Sequence, residues 1–476
     1  MITVDFENRG KCGLCDYLYS SIKKQILDGT LKAEEKLPSK RSLSDNLGVS
    51  TITVQNAYAL LLSEGYIYSL ERKGFFVTDL SSGLQKLSLR KKSESASIEA
   101  QGESESESKK WVADFTSNSA NLENFPFLLW AKTSRKVLNS ANEALLERPS
   151  VKGILSLRQQ IASYLFEFRN MEVDASQIAV GAGTENLYTM LVQFLGRRKF
   201  AVENPGYKKI AAILKVNGSS VVPIKVDSQG MSVEDLGKSA AEIAHVSPLH
   251  HFPTGVVMSV RRRRELLLWA CQKKGRLIIE DDYDSEFRFN GKPLQTLQSI
   301  DNGNCVIYIN TFSKTLAPSF RISYMVLPKK MMADFEEKMK DFSCCLSSFD
   351  QLTLAEFIKQ ASFARHIIRM RNKYKALRNL LVNAFQKSKL APIIQIQEKE
   401  SGLHFLLTIK TELSEKELKK RFEAQKIKIS LLKDFYYDKK ENADSKNKKT
   451  FLINYSGIKK DRIQQIVTCM EDAVLA

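Results

Sequence analysis

A single lysine stands in a hydroxyl-rich turn in the segment YINTFSKTLAPSFRISYMVLP, residues 308–328. Thr311 and Ser313 precede Lys314, and Arg321 follows it by seven positions. The amine of a lysine can form an imine with a carbonyl compound, and hydroxyl groups with an arginine can hold a phosphate. The same residues also fit a surface lysine and an arginine that pairs with a carboxylate. The segment alone leaves both interpretations open.

Two other segments place polar residues at the ends of predicted strands. The apolar run RLIIE leads into Asp281 and Tyr283, and the run IAV leads into GAGTENLYTM, which contains Gly183, Thr184 and Glu185. Ligands of parallel-sheet proteins gather at the carboxyl ends of the strands. The free N–H groups of Thr184 and Glu185 at the start of a helix could hold a phosphate. Taken singly, Asp281 could instead cap a helix, and Tyr283 could belong to a core.

Together these side chains supply what pyridoxal phosphate needs. Lys314 offers the amine that forms the imine, and Asp281 offers a carboxylate for the pyridinium nitrogen. Tyr283 offers a phenol for the ring oxygen, while the hydroxyl groups and Arg321 can hold the phosphate. The three segments therefore predict one cofactor site.

Predicted strands that alternate with predicted helices must position this site. From residue 111 to residue 476, strand-like runs such as KFAVEN and CVIYINTF alternate with helical patterns such as RRRRELLLWACQKK. That alternation predicts an α/β domain built on a mostly parallel sheet. The stretches PIIQIQEK, GLHFLLTI and LSEKELKKRFEAQ predict a smaller α+β lobe over about residues 385–476.

Residues 10–80 carry the signals of a winged helix-turn-helix. Three helical patterns, each followed by a glycine that favours a helix stop, precede the aromatic and β-branched hairpin pattern YIYSLERKGFFV. Ser39 and Ser50 are candidate caps for the second and third helices. Five apolar residues of these helices are expected in the core: Leu43, Leu47, Val54, Tyr58 and Leu61. Two short helices and a hairpin in this order favour a DNA-binding module.

The predicted DNA contacts lie on the two helices and on the wing. The recognition helix begins at Ser50 and Thr51 and continues through Thr53, Gln55 and Asn56, whose hydroxyl and amide groups can reach base edges. Contacts from the preceding helix and the wing tip, mainly to phosphates, are expected from Ser39, Lys40, Arg41, Arg72 and Lys73. A winged helix that makes only protein contacts is the alternative.

Composition narrows the class of protein further. The 476 residues carry a formal charge of +18, yet residues 1–80 hold ten basic and ten acidic residues, so charge alone does not indicate DNA binding. Residues 81–110, rich in Ser, Glu and Lys, predict a flexible linker. No run of 18 apolar residues and no signal peptide are apparent, which predicts a cytoplasmic protein with no membrane partner.

The seven cysteines fit a reduced protein. Cys12 and Cys15 form a lone CxxC, which fits a zinc or redox site less well than two ordinary cysteines, so no metal is predicted.

Four segments resemble known proteins. SKTLAPSFR is similar to the lysine segment of fold-type I aminotransferases, and IIEDDYDSEFRF to their aspartate–tyrosine segment. VENPGY resembles the strand end whose aromatic residue, here Tyr207, stacks on the cofactor ring. SPLHHFPTG resembles their PTG turn, with Phe252 where aminotransferases usually have Asn. With the N-terminal module, the whole chain apart from the linker resembles the MocR subfamily of GntR regulators.

This resemblance implies a winged helix-turn-helix fused to an aminotransferase-like domain over residues 111–476 that binds pyridoxal 5′-phosphate. Lys314 would be the Schiff-base lysine, with Asp281 at the pyridine nitrogen and Tyr283 at the ring oxygen. The phosphate would be bound by side chains and by backbone N–H groups of Gly183, Thr184, Glu185, Thr311, Ser313 and Arg321. Aminotransferase sites form at a dimer interface, so the resemblance also implies a homodimer with a head-to-tail arrangement.

Two positions depart from the GABA-responsive member of this subfamily. Lys209 replaces one arginine of that protein, and ISLLKDFYY offers Lys433 and Asp434 where a second carboxylate-binding arginine is expected. Lysine does not bind a carboxylate bidentately, so these residues argue against a GABA-like acid as ligand. Lys209 and Lys433 also fit plain surface charges.

We therefore expect a DNA-binding transcriptional regulator whose aminotransferase-like domain senses an amino compound, or pyridoxal phosphate itself, through aldimine chemistry at Lys314. One alternative is an active aminotransferase with an appended DNA-binding domain. Another is a module that has lost the cofactor and uses the fold only for dimerisation.

Overall fold

A computed structural model describes residues 13–79, 111–117, 124–140, 142–289, 294–397, 402–438 and 447–475, together with residues 2, 4 and 6. The chain divides into two compact units, residues 1–108 and residues 109–476. The predicted linker over residues 81–110 lies outside the described residues, and so does Cys12. Each described cysteine is a free thiol.

The N-terminal unit is a winged helix-turn-helix, as predicted. Its elements are α1 (Leu14–Leu27), α2 (Lys40–Leu47), α3 (Thr51–Ser63), β1 (Ile67–Leu70) and β2 (Gly74–Val77), the two strands pairing antiparallel. Leu43, Val54, Tyr58 and Leu61 are fully buried, and the half-buried Leu47 packs against them. The predicted core of this unit is confirmed.

Local signals set the ends of the two central helices. Ser39 Oγ accepts a hydrogen bond of 3.1 Å from the backbone N–H of Ser42, and Ser50 Oγ accepts one of 3.1 Å from that of Thr53. Each serine therefore satisfies one of the N–H groups that a helix start leaves unpaired. Gly48 ends α2 with a φ of 63°, a left-handed conformation that favours glycine.

The large unit is built on an eight-stranded sheet. Its strands are β4 (Ile178–Gly181), β5 (Lys199–Asn204), β6 (Ser220–Asp227), β7 (Gly230–Met231), β8 (Ile243–Val246), β9 (Leu277–Asp282), β10 (Val306–Thr311) and β11 (Ser323–Val326). Their order is β4-β11-β10-β9-β8-β5-β6-β7. The pairs from β10 to β6 are parallel, whereas β11 is antiparallel to both of its neighbours and β7 to β6. The predicted α/β architecture is thus observed, with antiparallel strands inserted or added at the two ends.

Helices precede, connect and follow these strands, and several of them cover the two faces of the sheet. They are α4 (Phe127–Ser140), α5 (Asn142–Leu146), α6 (Leu155–Arg169), α7 (Thr184–Leu195), α8 (Lys208–Val216), α9 (Val233–Lys238), α10 (Val260–Cys271), α11 (Met332–Met339), α12 (Ser348–Lys359) and α13 (Ser362–Gln386). Ile279 packs with Leu191 of α7 and Leu214 of α8, whereas its neighbour Ile278 packs with Leu266 of α10. Since successive strand residues point to opposite faces, the apolar run of β9 requires helices on both sides.

A smaller lobe follows the large sheet. A four-stranded sheet in the order β12-β13-β16-β15 is formed by β12 (Ile394–Gln397), β13 (His404–Lys410), β15 (Ser430–Leu431) and β16 (Lys448–Asn454). The remaining elements are α14 (Glu415–Ala424), α15 (Ile463–Leu475), and β14 (Ile427–Lys428), which pairs with β3 (Ala113–Asp114). Within the described ranges, no helix combines the length and the apolar content that crossing a bilayer requires.

The strand directions bring the predicted site together. Because β4 and β10 are each antiparallel to β11, they run in the same direction, as do β5, β8 and β9. The carboxyl ends of these five strands therefore lie along one edge of the sheet.

Candidate functional site

A cavity of about 290 Å³ opens at this edge of the large sheet. Nine predicted cofactor residues line it: Thr184, Glu185, Tyr207, Asp281, Tyr283, Thr311, Ser313, Lys314 and Arg321. The tenth, Gly183, lies beside the guanidinium of Arg321. Small-molecule sites are concave and combine apolar walls with a few convergent polar groups, as this cavity does.

Lys314 lies in the connection between β10 and β11. Thr311 pairs with Ser323 at the open end of this antiparallel pair, so the intervening loop projects from the edge of the sheet. Burial lowers the pKa of Lys314 to about 8, and the nearby Asp284 carboxylate opposes part of that shift. Near neutral pH, a larger fraction of this amine than of an ordinary lysine is therefore unprotonated and able to act as a nucleophile.

Asp281 presents an unused acceptor to the cavity. Its Oδ2 accepts a hydrogen bond of 3.1 Å from the Tyr188 hydroxyl and lies 3.5 Å from Nε2 of His245. The Tyr188 hydroxyl is also 2.6 Å from the same nitrogen of His245. The other oxygen, Oδ1, is buried and has no hydrogen-bond partner among the described residues. A buried, unpartnered carboxylate oxygen fits the protonated pyridine nitrogen of pyridoxal phosphate.

The start of α7 lies at the end of the cavity where the phosphate is predicted to bind. Gly183 precedes the helix with a φ of 87°, and a Cβ added there would lie 2.6 Å from Nη2 of Arg321. The guanidinium thus lies against the helix N-terminus, where the unpaired N–H groups and the helix dipole favour an anion. Glu185, in the first turn, pairs with Lys209 and lies 3.4 Å from Nη2 of Arg321.

The two hydroxyl residues that precede Lys314, Thr311 and Ser313, have different surroundings. Thr311 Oγ1 is 2.9 Å from the hydroxyls of both Ser313 and Ser323, and accepts a hydrogen bond from the backbone N–H of Ser313. This network stabilises the turn that carries Lys314. Thr311 is buried, while Ser313 is half-buried and faces the cavity, so Ser313 is the better placed of the two for a phosphate.

Aromatic rings form one wall. The ring of Phe252, which stands where aminotransferases usually have Asn, packs edge-on against Tyr207 at 5.6 Å, Phe435 at 5.2 Å and Tyr283 at 6.4 Å between ring centroids. The small lobe is joined to this wall, because the backbone N–H of Gly206 donates a hydrogen bond of 3.2 Å to the carbonyl of Phe435. Phe252 therefore supplies an apolar surface in place of an amide.

A buried cluster next to Lys314 was not predicted from the sequence. His250 Nδ1 lies 3.0 Å from both carboxylate oxygens of Asp284 and 3.2 Å from the Tyr283 hydroxyl, and the His250 and His404 rings are 4.6 Å apart. Burial lowers the pKa of His404 well below its ordinary value, so this imidazole is neutral. The chain has five histidines, and three of them fall within residues 245–251, a clustering that could have drawn attention to this segment.

Glu203 also belongs to the cavity, although the sequence did not predict it. It lies at the end of β5, lines the cavity, and accepts a hydrogen bond of 3.1 Å from the backbone N–H of Ser247. Burial raises the pKa of Glu203 well above its ordinary value, and the Asp281 charge adds to that shift. Burial therefore favours the protonated form of the Glu203 carboxyl.

Lys209 and Lys433, which stand where the GABA-responsive member of the subfamily has arginines, have different partners. Lys209 lines the cavity and pairs with Glu185. Lys433 pairs with Glu415, and Asp434 accepts a hydrogen bond of 2.9 Å from Lys419, so both are engaged within the small lobe. Lys433 does not belong to the described lining of the cavity.

The N-terminal unit presents the predicted DNA-contact residues on its surface. Exposed side chains include Ser39, Arg41, Ser50, Thr51, Gln55, Asn56, Arg72 and Lys73, whereas Lys40 and Thr53 are half-buried. Lys40 lies over the ring of Phe75 in the wing at 5.5 Å, which joins α2 to the hairpin. Ile52, which sequence analysis passed over, is 70% exposed on α3 and could contact a thymine methyl group.

Comparison with protein families matches both units. Residues 112–464 match the family described as aminotransferase class I and II, and residues 14–77 match the bacterial regulatory proteins of the gntR family. The first match spans most of the chain.

Individual regulators and one solved aminotransferase structure are also similar to this chain. The chain is 36% identical to the uncharacterized HTH-type transcriptional regulator YdeL of Bacillus subtilis (strain 168), over 87% of this chain and 88% of that protein. It is 29% identical to the "Probable rhizopine catabolism regulatory protein MocR" of Rhizobium meliloti, over 96% of this chain and 93% of that protein. The solved structure of kynurenine aminotransferase from Pyrococcus horikoshii aligns with a TM-score of 0.66 and 21% identity, covering 77% of this chain and 91% of that chain, which shows the fold.

Proposed function

Because this chain belongs to the MocR subfamily of GntR transcriptional regulators, with an aminotransferase class I and II domain, we propose that it controls transcription in response to a ligand sensed at Lys314. It is a DNA-binding regulator, and its cofactor is pyridoxal 5′-phosphate. The ligand we propose is an amino compound or pyridoxal phosphate itself.

One observation carries this proposal. Lys314, with its lowered pKa, lines the same cavity as Asp281, whose Oδ1 has no hydrogen-bond partner among the described residues. When bound, pyridoxal phosphate supplies an aldehyde that condenses with amines and a ring that accepts electrons. We assign Lys314 as the amine that holds the aldehyde, Asp281 as the acceptor for the ring nitrogen, Tyr283 as the partner of the ring oxygen and Tyr207 as the ring contact.

The phosphate contacts are assigned to the start of α7 and to the loop after β10. We propose the backbone N–H groups of Gly183, Thr184 and Glu185 as donors, together with the side chains of Thr184, Ser313 and Arg321. Thr311 orients this loop through its bonds to Ser313 and Ser323 and so acts on the phosphate indirectly.

The charges around the cavity bear on the ligand class. Lys209 is paired with Glu185, and Lys433 is paired with Glu415. Neither lysine offers the bidentate carboxylate contact that an arginine makes. This supports a ligand that binds through its amine rather than a GABA-like acid.

We further propose the partners and the compartment. Double-stranded operator DNA binds through the exposed groups of α3 and the wing tip. A homodimer forms with a head-to-tail arrangement, as in fold-type I aminotransferases. The protein works in the cytoplasm, where bacterial DNA lies. The site assignments and the homodimer are tested separately, by substitution and by sedimentation.

A second candidate is a working aminotransferase with an appended DNA-binding unit. The presence of a lysine, an aspartate and a tyrosine in one cavity favours it. Steady conversion of an amino donor and a keto acid, at a rate that Lys314→Ala abolishes, would support this candidate over a sensor without turnover.

The deciding experiment follows the visible absorbance of the purified, cofactor-loaded protein during titration with a panel of amino compounds, including D- and L-amino acids. The proposal expects one compound to shift the cofactor band and, at the same concentrations, to change operator affinity, with neither response in Lys314→Ala. A band that no compound shifts, with operator affinity that follows added cofactor, would identify pyridoxal phosphate as the signal. Full ligand response in Lys314→Ala would overturn the role of this lysine.

A further inference from the structure

One carboxylate oxygen lies between the two cations at the phosphate end of the cavity. Oε1 of Glu185 pairs with Nζ of Lys209 and is 3.4 Å from Nη2 of Arg321. The hydrogen bond from Lys209, followed by the charges of both cations, lowers the pKa of Glu185, so this side chain is an anion at neutral pH.

This anion stands where the fold otherwise favours a phosphate. Glu185 is in the first turn of α7, and the guanidinium of Arg321 lies close enough to Gly183 that a Cβ there would be 2.6 Å from Nη2. A helix N-terminus and an arginine together attract an anion. The carboxylate of Glu185 therefore occupies the anion site that the start of α7 and Arg321 form.

A phosphate carries about 1.5 to 2 negative charges at neutral pH. If it takes the guanidinium of Arg321, it lies next to the carboxylate of Glu185, and the two anions repel. Glu185 must then give up Arg321 and keep only Lys209. The side chains of Glu185, Lys209 and Arg321 are each close to half exposed, so this exchange does not require the core to open.

We propose that Glu185 competes with the phosphate group of the cofactor for Arg321, and thereby weakens cofactor binding so that occupancy follows the cofactor concentration. This inference rests on the proposed function, because it concerns the same site. It makes Glu185 a determinant of affinity for the phosphate group specifically. A regulator that responds to pyridoxal phosphate needs such a limit, since a site saturated at all concentrations would report nothing.

The test compares the full-length protein with Glu185→Gln, which keeps the shape and loses the charge. Equilibrium titration measures Kd for pyridoxal phosphate and for pyridoxal, which lacks the phosphate. We expect Glu185→Gln to bind pyridoxal phosphate about tenfold more tightly and pyridoxal equally well. Inorganic phosphate should compete with the cofactor more strongly in the variant. Glu167→Gln, which removes an exposed carboxylate of α6, is the matched control and should change neither Kd.

A double-mutant cycle with Arg321 tests whether the effect of Glu185 depends on this arginine. In an Arg321→Gln background, the added Glu185→Gln should bring little further gain, because the contested cation is gone. Unchanged or weaker binding of pyridoxal phosphate by Glu185→Gln overturns the competition while leaving the cofactor site intact, and so does an equal gain for pyridoxal. Absence of cofactor binding in both the wild type and Glu185→Gln would overturn the proposed function and the competition together.

Discussion

Lys314 and Asp281 show how burial prepares single residues for a cofactor. The cavity lowers the pKa of Lys314 to about 8, whereas Asp281 keeps one oxygen bonded to Tyr188 and leaves the other without a described partner. Burial raises the pKa of Glu203 and lowers the pKa of His404, which favours the neutral form of each side chain in the same space. The site therefore holds one reactive amine beside one oriented carboxylate.

The pKa of Lys314 makes a prediction about the cofactor-free protein. Only the unprotonated amine reacts with acetic anhydride, so the labelling rate of Lys314 should rise with pH and level off above a midpoint of about 8. Competitive labelling followed by mass spectrometry of the Lys314 peptide measures this midpoint. Asp284→Asn should move it to lower pH, because the Asp284 charge raises the pKa. A midpoint near the 10.5 of an ordinary lysine would contradict the burial of this amine.

At the scale of elements, the connection from β4 to α7 shapes the end of the cavity that we propose for the phosphate. Gly183 has a φ of 87° and a ψ of 168°, and Gly196 at the other end of α7 has a φ of 75° and a ψ of −179°. Both conformations are reached essentially only by glycine. They differ in their surroundings, since a Cβ on Gly183 would strike Arg321 and a Cβ on Gly196 would meet nothing within 4 Å.

This pair of glycines allows a matched comparison. Alanine at either position should cost about 1–3 kcal/mol of stability through backbone strain. Only Gly183→Ala should also weaken the binding of pyridoxal phosphate, because it displaces the guanidinium of Arg321. Thermal unfolding and cofactor titration of both variants measure the two effects. Equal loss of cofactor affinity in Gly196→Ala would show that strain, rather than the contact with Arg321, is responsible.

The wing and the recognition helix make separable predictions for DNA. Arg72 lies at the exposed wing tip, where a phosphate contact is expected, and Gln55 is exposed on α3, where a base contact is expected. Arg72→Gln should reduce the slope of log K against log salt by about 1 and weaken all sequences alike. Gln55→Ala should weaken operator binding while the salt slope stays the same. Binding assays with operator and unrelated DNA over a salt series distinguish these results from loss through misfolding.

At the scale of the whole molecule, the net charge and the cofactor cavity both lie outside the N-terminal 80 residues. Residues 1–80 are neutral overall, so the formal excess of +18 lies in the remainder of the chain. Among the described residues, those that line the cofactor cavity belong to the unit that spans 109–476. Binding at this cavity should therefore stabilise one unit directly.

Calorimetry of the full chain checks this division. At a free cofactor concentration of one hundred times Kd, the unfolding free energy of the large unit should rise by about 2.7 kcal/mol, because the ligand binds only the folded state. The transition of the N-terminal unit should stay where it is. A shift of both transitions would reveal energetic coupling between the units, and a shift of neither would contradict cofactor binding.

The sequence by itself determined the features that depend on short stretches of chain. Ser39 and Ser50 cap their helices because a cap needs a hydroxyl only three residues before the N–H that it accepts from. The cofactor segments around Thr184, Asp281 and Lys314 were predicted because each follows a strand, and parallel strands end at one edge. The order of the two units and the family also followed from such segments.

Only the tertiary structure decided which side chains meet across the sheet. Tyr188 and Asp281 are 93 positions apart, and the bond between them depends on a strand order in which β11 lies between β4 and β10. The contacts of Glu185 with Arg321, and of His250 with Asp284, arise in the same way. Spacing along the chain carries no information about these distances, because they are set by how helices and strands from distant segments pack.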